Sequence, residues 1–175
     1  MGTTFTVVLD APTRARGEAF AREALDEAER LDRLLSNYRP DSEWSRVNRE
    51  AAGGAVEVSR ELFDLLTACL RYSRASEGAF DISVGPLMKV WGFFKGEGGL
   101  PPDADVRSAL ARVGYRHVAL DSVRRSVHFD ASGVELDPGG IGKGYAVDRM
   151  VEVLRRRGVE AARSEEHTSE LQSRF

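Results

Sequence analysis

Cysteine is almost missing: Cys69 is the one instance in 175 residues, which excludes an internal disulfide and any cysteine-built zinc site. Histidine is scarce as well. His117 and His128 fall in candidate strands without metal-ligand spacing, and His167 lies in a terminal stretch taken up below. No Ser–His–Asp or Cys–His arrangement is supported. No run approaches the roughly 20 apolar residues of a membrane-spanning helix. Met1 to Phe5 carry no basic region followed by an apolar one, so no signal peptide is read in the chain as written. Basic excess is absent too. Lys and Arg total 25 against 28 Asp and Glu, a net charge of −3. With both signs mixed along the helices, neither nucleic acid (DNA included) nor an anionic lipid surface is an expected partner.

What is present is the composition of a folded domain. Hydrophobic residues make up 42% and charged residues 30%, enough to bury a core, and the length fits one domain. Thr4 to Leu9 alternate and are β-branched, which predicts a strand. Phe20, Ala24, Ala28, Leu31 and Leu35 recur at helical spacing and predict one long amphipathic helix ending near Ser36. A polar stretch, Ser36 to Asn48, follows as a loop around Pro40 with a short helical turn after it. Val56 and Val58 suggest a short extended piece. Ser59 caps a second helix marked by Leu62, Leu65, Leu66, Cys69 and Leu70, with Cys69 in its apolar face. Asp103 is placed as the cap of a third helix, closed by Gly114. His117–Leu120, Val127–Phe129 and Val134–Leu136 read as a meander, and a fourth helix runs from about Ile141 to Arg157. Helices and hairpin-like strands without βαβ alternation point to an α+β fold. From Arg163 the chain reads Arg-Ser-Glu-Glu-His-Thr-Ser-Glu-Leu-Gln-Ser-Arg-Phe and continues no earlier pattern. It resembles the translation of a DNA-sequencing library adaptor. Residues 1–162 are therefore taken as the genuine domain portion and 163–175 as a non-native tail.

Three segments carry chemistry. In Leu136-Asp137-Pro138-Gly139-Gly140-Ile141-Gly142-Lys143-Gly144-Tyr145, a strand ends on a carboxylate and a glycine run leads into a helix. Such a turn offers backbone N–H groups and a positive helix end to an anion, and an exposed carbonyl to a hard cation. It is not a Walker A loop, because Asp137 stands six before Lys143 and Tyr145 occupies the Ser/Thr position. Nor is it the dinucleotide fingerprint, since the spacing is G-x-G-x-G. A tight strand-to-helix turn without ligand explains it equally well. The second segment is Gly78-Ala79-Phe80-Asp81-Ile82-Ser83-Val84-Gly85-Pro86-Leu87, with Trp91-Gly92-Phe93 beyond it. Aromatics beside small residues suit a flat ring system, and the aspartate suits ring or ribose donors. A turn with aromatic core residues is the competing reading. The third, Tyr38 to Asn48, reads on its own as a hydrogen-bonded surface loop.

Taken together, these segments and the opening Met1-Gly2-Thr3-Thr4-Phe5 resemble the ApbE family, the FAD:protein FMN transferases. Four motifs in family order cover residues 1–162. The resemblance implies the N-terminal portion of an incomplete ApbE-like α+β domain. It implies that Met1, Tyr38, Ala79, Phe80, Asp81 and Asp137 correspond to FAD-contacting positions. The Gly140 carbonyl corresponds to a Mg²⁺ ligand, with Lys143 in the same loop near the phosphates. The family's other metal ligands, and the catalytic base expected of the chemistry, belong to its second half, so no catalytic residue is assigned in this chain. The implied reaction is Mg²⁺-dependent transfer of FMN from FAD to a threonine hydroxyl of an acceptor flavoprotein, a redox-complex subunit, releasing AMP. An FAD pyrophosphatase and a non-catalytic flavin-binding protein are the alternatives. Members are bacterial and usually periplasmic or lipoprotein-anchored, which implies a location outside the cytoplasm.

Overall fold

The computed structural model describes residues 4–95 and 98–167. In chain order the elements are β1 (Thr4–Leu9), α1 (Arg14–Leu35), α2 (Glu43–Glu50), β2 (Val56–Glu57), α3 (Arg60–Ala75), α4 (Gly85–Val90), α5 (Asp103–Leu110), β3 (Val118–Asp121), β4 (Ser126–Phe129), α6 (Gly142–Arg156) and β5 (Ala162–His167). Short 3₁₀ turns occupy Phe93–Lys95 and Tyr115–His117. This is an α+β fold with short antiparallel strands. Among the described residues no helix is long and apolar enough to cross a membrane. The chain forms two compact units, residues 1–34 with 141–175, and residues 35–140.

The first unit joins the two ends of the described chain. β1 pairs antiparallel with β5, from Thr4 opposite His167 to Leu9 opposite Ala162. The pairing therefore runs past residue 163, into the stretch set apart above; a ladder of backbone bonds asks little of side-chain identity. Ala24 and Ala28 of α1 pack with Met150 and Leu154 of α6, and Phe5, Val7, Leu9, Phe20 and Val159 close around them. The small residues on α1 let the longer ones on α6 fill the space. Two arginines tie the helices together: Arg157 forks onto Glu23 at 2.7 and 2.9 Å, and Arg149 lies 3.5 Å from Glu27. The Arg30 hydrogen bond, more than Arg149, holds the Glu27 carboxyl below its ordinary range against the opposing effect of burial. α6 ends before Gly158, whose φ of +74° a side chain would resist.

The second unit holds the larger core. Trp44, Val47, Leu62, Leu66, Ile82, Val127 and Phe129 are each no more than 1% exposed. The sheet order is β2-β4-β3, with Val56 opposite Val127 and Val118 opposite Phe129. Ser59 caps α3 as the sequence predicts, accepting from Leu62 N at 3.3 Å. Glu43 of α2 takes the Ser59 N–H and hydroxyl at 2.8 and 2.6 Å, fixing the start of one helix from the next. Cys69 is fully buried, and burial pushes its thiol up to about 12, as a small core hydrophobe requires.

Four local expectations need correction. The turn after Pro40 is a two-turn helix, because Ser42 caps it by accepting from Ser45 N at 3.0 Å. Pro102, not Asp103, holds the N-cap position of α5, and Asp103 is its first residue. α4 was not anticipated; Pro86 in its first turn starts it without a side-chain cap. Val134–Leu136 does not join the meander. Its one ladder contact is a parallel bridge between Glu135 and Val84, and its remaining bonds go elsewhere.

Candidate functional site

The segment leading to the glycine turn is held by side chains where a strand would use backbone. Asn48 of α2 donates to the Leu136 carbonyl at 2.9 Å and accepts the Leu136 N–H at 2.8 Å. Its carboxamide thus stands in for a neighbouring peptide unit. The buried Trp44 indole donates to the same carbonyl at 3.1 Å. On the other side, Asp137 N donates to Ile82 O at 2.8 Å and Gly85 N to Glu135 O at 3.2 Å. Leu136, 1% exposed, is clamped from both directions.

Asp137 begins the turn and is only 8% exposed. One carboxylate oxygen accepts Gly139 N at 2.7 Å, and the other accepts the Asn37 amide at 3.1 Å. Burial pushes its carboxyl above the ordinary range, while these two hydrogen bonds pull it back down. A Cβ at Gly139 would stand 2.7 Å from the Asp137 oxygen, so a side chain there would push this carboxylate aside. The Asn37 carbonyl oxygen is buried and has no hydrogen-bond partner among the described residues. Gly139 and Gly140 are exposed, and the Phe80 ring lies against Gly140, 3.3 Å from where a Cβ would be.

Phe80 reaches that place through a tightly bonded turn. Its N–H donates to Ser76 Oγ at 3.0 Å, and its ring meets Tyr72 edge-on at 6.4 Å. Asp81 faces inward. One of its oxygens accepts Ser83 N and Ser83 Oγ at 2.8 and 2.7 Å, and the other accepts Tyr115 N at 2.8 Å. Ala79 is exposed on the same turn. Tyr38 follows Asn37 directly, is 61% exposed, and tilts against the Phe94 ring at 5.7 Å. Lys89 stands over the same Phe94 ring, 6.0 Å from its centroid, and is paired with Glu135.

The structure thus gathers Tyr38, Ala79, Phe80, Asp81, Asp137 and Gly140 into the second unit, around one buried carboxylate and one exposed turn. Lys143 is the second residue of α6, in the first unit, and is half-buried. Met1 lies outside the described residues. Asn37, Trp44, Ser83 and Phe94 were not singled out by sequence. Asn37 sits beside Tyr38 in a polar stretch, and nothing in the spacing links it to a carboxylate 100 residues on. Among the described residues no group of three or more His, Cys, Asp or Glu is placed to hold a metal ion.

The chain matches the model of the ApbE family over residues 1–163 and belongs to it. It is 36% identical over 146 residues to an FAD:protein FMN transferase of Klebsiella pneumoniae, spanning 83% of this chain and 46% of that protein. A Salmonella typhimurium protein of the same name is 30% identical, spanning 91% of this chain and 47% of that protein. Among solved structures, the ApbE protein of Thermotoga maritima superposes with a TM-score of 0.83 at 29% identity, covering 94% of this chain and 53% of that one. The apo flavinyl transferase ApbE of Pseudomonas stutzeri gives 0.80 at 32% identity, with 94% and 52% covered. The chain spans about half the length of the relatives it matches.

Proposed function

We propose that this chain supplies the FAD-binding portion of an enzyme that transfers FMN from FAD to a threonine hydroxyl of an acceptor flavoprotein, releasing AMP. The Asp137–Gly140 turn carries the reading: a buried carboxylate holds two exposed glycines open beside the Phe80 ring. That combination suits a ligand with a flat ring, hydrogen-bond donors and a phosphate-bearing middle. The exposed Tyr38 ring, set against the half-buried Phe94, offers a second aromatic face. Buried acceptors, the Asp137 carboxylate and the unpartnered Asn37 carbonyl, favour a ligand rich in N–H and O–H groups. In this reading Tyr38, Ala79, Phe80, Asp81 and Asp137 line the FAD site, with Met1 and Lys143 as further contacts.

The fit to Mg²⁺ is partial. A hard ion of this kind takes six oxygens, and the described residues provide no carboxylate cluster for one. The exposed Gly140 backbone carbonyl suits one position, so the proposal places the other ligands outside the described residues or on the substrate's phosphates. When bound, the ion would neutralise pyrophosphate charge. This chain's own part is to bind and orient the dinucleotide. The extracytoplasmic location and the redox-complex acceptor stand as parts of the same proposal.

The test mixes the intact enzyme, of which this chain is proposed to be the FAD-binding portion, with FAD, Mg²⁺ and a threonine-bearing acceptor domain, and reads in-gel flavin fluorescence after denaturation. Covalent fluorescence on the acceptor that disappears with EDTA is the expected result. FAD bound without any turnover would reduce the protein to a flavin carrier. FMN and AMP released equally with and without acceptor would make it a hydrolase.

A further inference from the structure

Asp81 corresponds to an FAD-contacting position, yet its carboxylate is occupied by the protein itself. A carboxylate has about four acceptor sites, and three are filled here, by Ser83 N, Ser83 Oγ and Tyr115 N. Ser83 is 0% exposed and cannot touch a ligand. Its hydroxyl donates to Asp81 and accepts Gly114 N at 2.7 Å. Asp81 and Ser83 therefore form one clamp that fastens the Phe80–Ser83 turn to the backbone at Gly114–Tyr115. The same turn is bonded to the glycine-loop segment through Ile82 O and Asp137 N, 2.8 Å apart. Its Phe80 ring rests on Gly140.

We infer that Asp81 and Ser83 are positioning residues, a clamp that sets Phe80 against Gly140, and that the Asp81 carboxylate serves the nucleotide through this clamp, leaving contact at this position to its backbone. The inference rests on the FAD-binding reading for its functional consequence. The clamp itself does not depend on that reading. Losing either member frees the turn, so both substitutions weaken FAD binding by way of the same displacement. Effects that share one cause do not add.

The experiment has two readouts on the full chain. FAD affinity is measured by flavin fluorescence titration, well below the unfolding temperature, for wild type, Asp81→Asn, Ser83→Ala and the double variant. The expected result is that Ser83→Ala weakens FAD binding about as much as Asp81→Asn, roughly 10- to 150-fold for the loss of a hydrogen bond to a charged group. The double variant should lose little more than either single one. Wild-type affinity in Ser83→Ala with a large loss in Asp81→Asn would overturn the inference, as would additive losses.

Amide exchange at Gly114 and Tyr115 is the second readout and needs no variant to fold. Both amides should be protected in the free protein and stay protected when FAD is added. Loss of Tyr115 protection on adding FAD would show the carboxylate drawn to the ligand and would also overturn the inference. Absence of protection in the free protein would remove the clamp outright. If wild type fails to bind FAD, the parent proposal falls, while exchange in the free protein still decides the clamp.

Discussion

Asp137 holds a charge that its surroundings disfavour. Burial raises its carboxyl above the ordinary value of about 4, with Gly139 and Asn37 opposing. A raised folded-state pKa means that the folded chain keeps this proton longer than the unfolded chain does. The resulting stabilisation is fully present below the ordinary value and is lost as pH rises through the raised one. Asp137→Asn should remove that loss. The new carboxamide oxygen can still accept Gly139 N. Its NH₂ would face the Asn37 amide, and a half-turn of Asn37 presents the oxygen that now lacks a partner. The variant should therefore fold, and its stability relative to wild type should grow as pH rises from about 4 to 7 in urea titrations. FAD affinity should fall about tenfold or more, as expected when an acceptor pairing with a buried donor is lost. A difference between variant and wild type that stays flat or shrinks across that window would contradict the burial argument. The aspartate was legible in the sequence because a carboxylate before a glycine run is conspicuous. Asn37 was not, because its meaning comes from a partner 100 residues away.

At the scale of elements, the sequence tells most where periodicity is long. α1, α3 and α6 each follow an apolar stripe: α1 ends one residue before Ser36, α3 begins directly after its Ser59 cap, and α6 falls within one residue of its expected limits, although the stripe of α1 gave no start and the helix begins at Arg14. The sequence misleads at Val134–Leu136, whose apolar alternation promised a third strand of the meander. The segment is extended, but its neighbours are the Asn48 carboxamide, the Trp44 indole and a single bridge to Val84. Alternation reports two faces of an extended chain and does not name the partner on its edge. Gly85 makes this arrangement possible. A Cβ there would stand 2.7 Å from Glu135 O and 2.9 Å from Glu135 Cβ, so Gly85→Ala must push the Glu135–Asp137 segment away. The expected cost is about 1–3 kcal/mol. That corresponds to a fall in melting temperature on the order of 2–12 °C for a chain of this size. Calorimetry would check it, with Gly144→Ala as the control, since no atom lies within 4 Å of that Cβ position. Equal melting temperatures for the two variants would mean that the segment yields freely.

At the scale of the molecule, the two units draw on unequal cores. Trp44, Phe129, Leu62, Leu66, Ile82, Leu136, Val47, Val127 and Val134, all in the 35–140 unit, are among the largest fully buried side chains, whereas Leu31 and Met150 represent the other unit. The first unit also closes only when residues near position 5 meet residues near position 165, a loop whose entropy must be offset by a two-stranded ladder and one small helix-packing cluster. A two-stranded ladder alone is marginal in water. The 35–140 unit, continuous in sequence, brings β2, β3 and β4 together within a much shorter span. Native-state hydrogen exchange should therefore resolve two openings. Amides of β1 and α6 should exchange through a lower-energy one than those of α3 and β4, with a gap of about 2 kcal/mol or more, since local openings range from near zero to the global value. Adding FAD should then narrow the gap only to the extent that the ligand also engages residues of the first unit, such as Lys143. Saturating FAD that slows exchange in the 35–140 unit alone would confine the binding energy to the Asp137 turn and its aromatic neighbours. Slowing in both would give the helix that follows the glycine run a direct share in holding the nucleotide. A single opening energy shared by α3, β4, β1 and α6 would show instead that the chain folds as one cooperative body.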